Sequence, residues 1–164
     1  MATKRYTVEK RRKREGRTNY RGRIKLLASR KPRLVIRRHS KSILMQVVEF
    51  SPRGDKVVCS ANSLLLKKLG WQGHTGNIPA AYLTGLYLAK KCGVSEAVVD
   101  FGEQHSVKGS SLYAAVKGAI DGGLKINCGE EMFPSPERIS GKHTKNKEIF
   151  SRIKPKIEGE KKNA

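Results

Sequence analysis

Residues 33–61 read RLVIRRHSKSILMQVVEFSPRGDKVVCSA. Three β-prone runs are separated here by two polar breaks. Residues 33–39 (RLVIRRH) are rich in β-branched side chains and end in charge. Residues 43–50 (ILMQVVEF) read as a second strand, and the short polar connection from His39 to Ser42 makes the pair a hairpin. Pro52-Arg53-Gly54-Asp55 carries proline and glycine where a tight turn uses them. Residues 56–61 (KVVCSA) follow as a third strand, so the stretch predicts an antiparallel meander.

Downstream the hydrophobic period lengthens from two to about 3.6 residues. Residues 62–69 predict a short helix stopped by Gly70, and GWQGHTG (70–76) predicts a loop in which Trp71 serves as a packed anchor. Asn77 suits an N-cap, with Pro79 in the first turn of the next helix. Ile78, Ala81, Tyr82, Gly85, Leu86 and Ala89 form one stripe of that helix, and Leu83 and Tyr87 add a second, so it is covered on most sides. Residues 96–101 (EAVVDF) predict a fourth strand. Ser110 or Ser111 caps a further helix whose inner side carries Leu112, Ala115, Val116, Ala119 and Ile120, and Gly122-Gly123 ends it. Ile126 begins a last short strand. The fold expected is α/β: a mixed sheet whose three-strand antiparallel meander is followed by αβα.

Upstream, KRRKREGRTNYRGR (10–23) has eight Lys or Arg among fourteen residues. Two cations ~6 Å apart in water repel by about 0.7 kcal/mol, so such a run needs external countercharge. The chain has 164 residues and a net charge of +21. That charge is uneven: residues 1–41 carry +15, residues 42–141 carry +1 and residues 142–164 carry +5. The organisation expected is a basic arm (1–23), an α/β body (24–141) and a basic C-terminal extension (142–164). After Pro134 the composition turns polar, and PSPERISGKHTKNKE (134–148) suggests a surface segment. Ile149, Phe150 and Ile153 make a small apolar island before Pro155, and the final GEKKNA has nothing to bury.

Several classes are disfavoured. Three cysteines, Cys59, Cys92 and Cys128, are widely spaced and suggest free thiols in a reducing compartment. No apolar run reaches the ~18 residues of a membrane-spanning helix. The basic N-terminus lacks the apolar centre of a secretory signal and the serine content of a transit peptide. The four histidines have no metal-ligand spacing, and the phosphate loop of nucleotide triphosphatases is absent. No cofactor is expected.

The arm itself admits bland readings, as a solvated tail or a nuclear-localisation signal. Polyanion binding fits better. Arginine outnumbers lysine in it, and the planar guanidinium suits bidentate phosphate contacts. Lys10, Arg11, Arg12, Lys13, Arg14, Arg17, Arg21 and Arg23 are candidate phosphate contacts. Asn19 and Tyr20 add a base-edge partner and a stacking face. The run should become ordered against its polyanion and be mobile without it. Arg33, Arg37, Arg38, His39 and Lys41 extend the positive surface onto the hairpin, where the competing reading is charge that protects an edge strand. Lys108-Gly109-Ser110-Ser111 precedes a helix, so Lys108 and Ser110 are candidates for a phosphate at its N-terminus, against the reading of an ordinary cap. Two other functions remain: a metal-dependent RNA-processing enzyme using Asp100, Glu103 and Asp121, and a DNA-compacting basic protein.

Five segments taken together resemble a known family: RRKREGRTNYRGRIKLLAS, KPRLVIRR, GWQGHTGNIPAAYLTGLYLAKK, KGSSLYAAVKGAIDGGL and GEEMFPSPERISGKH. They are similar to the L-eighteen family of large-subunit ribosomal proteins, in its archaeal form, whose eukaryotic relative is called L-five. The segments cover most of residues 5–143 in the family's order; residues 144–164 match no family segment. The resemblance implies a noncatalytic, cytoplasmic protein of the ribosome. It implies binding of 5S rRNA in the central protuberance, with contacts to the large rRNA and to neighbouring large-subunit proteins. Neither a membrane nor a second copy of the chain is an expected partner. The fold implied is similar to the ribonuclease-H-like motif without its catalysis.

Overall fold

The structure, a computed structural model, describes residues 7–144 and 147–159. The meander forms as its sequence pattern requires: β1 (Arg33–Arg38), β2 (Ile43–Glu49) and β3 (Lys56–Asn62) pair antiparallel in turn. β4 (Val98–Asp100) adds to the other side of β1 in parallel, giving a mixed sheet of order β3-β2-β1-β4. A register shift between Val47 and Val48 buries both of these neighbours.

One sheet face is the core face. Leu34, Ile36, Ile43, Met45 and Val47 point there and are fully buried. Against them lie α4 (Ile78–Lys91) and α5 (Ser111–Asp121), with a one-turn helix α3 (Leu65–Lys68) between β3 and α4. Asn77 caps α4 by accepting the Ala80 N–H at 3.0 Å. Trp71 is buried and its indole N–H donates to the His74 carbonyl at 3.3 Å, so the glycine loop is pinned as an anchor. α4 and α5 cross with almost no space between their backbones. A Cβ on Gly85 would stand 2.1 Å from the Ala115 carbonyl oxygen, and one on Gly118 would stand 2.0 Å from that of Tyr82. Only glycine permits this approach.

The other sheet face is partly roofed by α2 (Tyr20–Ala28), which follows a single turn, α1 (Arg11–Arg14). α2 begins at the Asn19 cap, whose side chain accepts the Gly22 N–H. It stops well before Pro32, and Arg30 just after it takes a positive φ of 55°.

Four expectations need correction. The helix of residues 62–69 shrinks to α3, because Asn62 stays in β3 and its side chain accepts the Leu64 N–H at 3.0 Å. The fourth strand is shorter than residues 96–101. No strand starts at Ile126: Lys125 makes one isolated parallel bridge to Glu96, and the chain then leaves the sheet. The apolar island does not end before Pro155. It belongs to α7 (Lys147–Glu158), which runs through the proline and buries Phe150, Ile153 and Ile157 against α4. The Phe150 ring lies 5.8 Å from that of Tyr82. The island therefore extends to Ile157, and its buried groups sit at i, i+3 and i+7 on one helix face. Between α5 and α7 come a 3-10 turn (Glu130–Met132) and α6 (Pro136–Ile139). The reading of the final GEKKNA falls, beyond Gly159, outside the described residues. No helix among them is long and apolar enough to cross a membrane.

Candidate nucleic-acid interface

The basic arm starts from local chemistry. α1 is four cations long and buries nothing. Gly16, with φ of 62°, turns the chain back so that the Arg17 N–H reaches the Arg12 carbonyl at 2.9 Å. The arm's two carboxylates spread their charge over it: Glu9 pairs with Lys13, and Glu15 pairs with Arg11 at 3.4 Å and Arg17 at 3.3 Å. Arg12 donates to the Thr18 hydroxyl at 2.9 Å. Among the described residues, Arg14 and Arg21 have no ion pair, and both are exposed.

Asn19 and Tyr20 have structural occupations. The Asn19 side chain caps α2 by accepting the Gly22 N–H at 2.8 Å. Tyr20 is half-buried, with the Lys10 ammonium 5.2 Å from its ring centroid. The residues offered as the arm's shape-reading contacts thus shape the arm.

Arg33 departs from expectation. It is 4% exposed and does not extend the positive surface. Its guanidinium bonds Asp100 at 3.0 Å and also bonds Asp55, which Arg23 of α2 grips at 2.7 Å. Arg37, half-buried, donates to the Asp100 carboxylate at 3.2 Å and to its carbonyl at 2.7 Å. The reason is geometric. Leu34 and Ile36 face the core helices, so Arg33, Val35 and Arg37 fall on the opposite face, beneath α2. Three arginines and two aspartates there tie the arm's helix to the sheet. Arg38, His39 and Lys41 are exposed as expected, at the far end of the hairpin.

Two clefts gather these groups. One, of about 410 Å³, lies between arm and sheet and is lined by Arg12, Arg17, Arg23, Arg33 and Arg37, with Asp100 and Glu103 as its acids. The other, of about 560 Å³, brings Arg38 and His39 of the hairpin to Ser110 at the start of α5, together with His105. His105 carried no motif in the sequence, and only the loop after β4 brings it here. Ser110 is the N-cap of α5, yet its hydroxyl makes no capping bond. The hydroxyls of Ser110 and Ser111 and the Nε of Arg33 are buried without a hydrogen-bond partner. Lys108 is exposed beside this cap.

The acids of the enzymatic reading do not converge. Asp100 is engaged by Arg33, Arg37 and the Gly102 N–H. Asp121, at the end of α5, accepts from the Tyr82 hydroxyl at 2.8 Å and pairs with Lys117 at 3.1 Å. Among the described residues no three His, Cys, Asp or Glu side chains gather as a metal site would need.

Comparison with known proteins agrees with this surface. A family model described as ribosomal large subunit proteins 60S L5 and 50S L18 matches residues 4–95. The large ribosomal subunit protein uL18 of Thermofilum pendens is 49% identical over 145 residues, which span 87% of this chain and 74% of that relative. The matched region carries the arm, the meander and α4, and the relative extends the match well beyond them. The chain belongs to the family of ribosomal large subunit proteins that comprises 60S L5 and 50S L18.

Proposed function

We propose that this protein binds 5S rRNA and helps attach it to the large rRNA in the central protuberance, beside neighbouring large-subunit proteins. Family membership carries the coarser statement: the chain is a structural constituent of the large ribosomal subunit, works in the cytoplasm on the ribosome, and is not an enzyme. The finer reading assigns a working layout of arm (1–23), α/β body (24–141) and basic C-terminal extension (142–164). The body is read as a ribonuclease-H-like motif, supported by the order β3-β2-β1-β4 and the αβα that follows the meander.

The observation that carries the reading is the arm: a run of cations, all but Arg23 exposed, whose helix is clamped to the sheet by Arg23 and Asp55. Lys10, Arg11, Arg12, Lys13, Arg14, Arg17 and Arg21 are assigned to phosphates. Arg38, His39, Lys41, Lys108 and Ser110 form a second contact zone around the α5 N-terminus, whose helix dipole favours an anion. Asn19 and Tyr20 act by holding the arm's shape. Arg33 and Arg37 act from beneath it.

Deleting residues 1–18 tests this, because it removes six of the cations assigned to phosphates and leaves the Asn19 cap and the Arg23–Asp55 pair in place. Binding to 5S rRNA should weaken strongly. The slope of log affinity against log salt should become shallower by about 4–5, at roughly 0.7–0.9 per lost phosphate contact. An unchanged slope removes the arm from the interface. Equal affinity for duplex DNA in competition removes the RNA reading.

A further inference from the structure

Cys59 and Cys92 are distant in sequence and adjacent in the fold. β3 turns Cys59 and Ala61 toward the helices while Val58 and Ser60 stay exposed. Cys92 is the C-cap of α4, with its N–H on the Leu88 carbonyl at 2.8 Å, so it stops where the helix ends over β3. The end of α4 packs on β3, with Tyr87 and Lys91 beside Ser60 and Ala61, so Cys92 sits close enough to Cys59 for the two thiols to interact. Both are free thiols in a core that is otherwise almost wholly aliphatic and aromatic. β3 is an edge strand with one side unpaired, and local opening of such an edge admits small reagents.

We propose that Cys59 and Cys92 are a dithiol modification site that closes to an intramolecular disulfide when a small-molecule disulfide such as oxidised glutathione reaches it. The thiolate of one cysteine attacks the reagent, forming a mixed disulfide and releasing one glutathione thiolate, which takes up a proton. The thiolate of the other attacks the protein sulfur of that mixed disulfide and releases the second glutathione. Two cysteine thiols are oxidised, one reagent disulfide is reduced to two thiols, and no other oxidant is required. From these neighbouring positions the sulfurs must approach to the disulfide length of about 2.05 Å. Burial pushes the Cys59 thiol up, so thiolate is scarce and closure is slow at neutral pH. The product staples the edge strand to the end of α4. Cys128 is half-buried, with its thiol on the Gly129 carbonyl at 3.8 Å, and stays outside the reaction.

The test uses the full chain incubated with oxidised glutathione, then alkylated in denaturant without reductant and weighed. Alkylatable thiols should fall from three to one. A non-reduced peptide map should join the Cys59 peptide to the Cys92 peptide. A Cys128→Ser chain should lose both of its thiols. The peptide map on the unaltered chain makes the result independent of how any variant folds. The proposal is overturned if three thiols survive, if glutathione adducts persist unresolved, or if the bond involves Cys128. It is also overturned if oxidation in urea yields the same single pairing, since the fold would then not be what selects it.

Discussion

Arg33 shows how far a residue's role can lie from its charge. At the first position of β1 it spends its guanidinium on Asp55 and Asp100, with side-chain exposures of 5% for Arg33 and 9% for Asp100. A buried ion network of this kind contributes little over an apolar replacement, but removing one partner strands the others. Asp100→Asn should therefore lower unfolding stability by about 3–5 kcal/mol, read from the urea midpoint. Tyr82 supplies a pH-dependent contribution. Burial first, then the hydrogen bond it donates to Asp121, pushes its phenol well above the ordinary value of 10.0. The folded state thus holds this proton more tightly than the unfolded chain does. The associated stability is fully present below pH 10.0 and is lost as pH rises toward the folded value. Tyr82→Phe should flatten the alkaline limb of a stability-against-pH curve while leaving the neutral part of the curve level.

At the scale of elements, the joint between α4 and α5 matters most. Gly85 and Gly118 face each other's helix backbone at distances no Cβ tolerates, 2.1 and 2.0 Å. An exposed helical Gly→Ala change gains about 1 kcal/mol of propensity. Here the methyl group meets a carbonyl oxygen, and overpacking costs about 1–3 kcal/mol or more. Gly118→Ala should therefore be net destabilising, with a lowered thermal midpoint and an unchanged helical circular-dichroism signal at low temperature. A rise in the midpoint contradicts the close crossing. α7 is the second joint. It exposes Arg152 and Lys156 while its apolar stripe, Phe150, Ile153 and Ile157, is locked onto α4. The arm has no comparable buried stripe, and its helix is held by Asn19's cap, the Arg23–Asp55 pair and the half-buried Leu26.

For the molecule as a whole, net charge of +21 sets two opposite salt responses. Exposed like charges repel, and salt screens them over a Debye length of about 10 Å at 0.1 M. Raising ionic strength should therefore raise the thermal midpoint of the isolated protein, since self-repulsion destabilises the compact state. The same change should weaken RNA binding, because counterions released into a saltier solution gain less entropy. Measuring both over one salt series separates them. A midpoint that falls with salt would mean that attractive surface pairs outweigh the repulsion. The division of labour is physical: the nearly neutral body folds on apolar burial, and the charge sits where it does not oppose that burial.

What the sequence determined alone was whatever depends on near neighbours. The alternation in residues 33–61 specified three strands and their antiparallel order, and Asn77 with Pro79 specified where α4 begins. The clustering of charge in residues 10–23 specified an arm whose cations are mostly exposed. Tertiary structure decided what depends on partners far away in the chain. Arg33 is an interior residue only because Asp55 and Asp100 arrive 22 and 67 positions later. Gly85 matters because Ala115 crosses it, and the Asn19 side chain becomes a helix cap only because α2 starts beside it. The i, i+3, i+7 spacing of Phe150, Ile153 and Ile157 was present in the letters, but a proline among them argued against a helix until α4 offered a surface to bury them. Local pattern fixes which conformations a segment can take; burial against a distant segment decides which groups lose water, and that loss is what turns a charge into a brace and a polar tail into core.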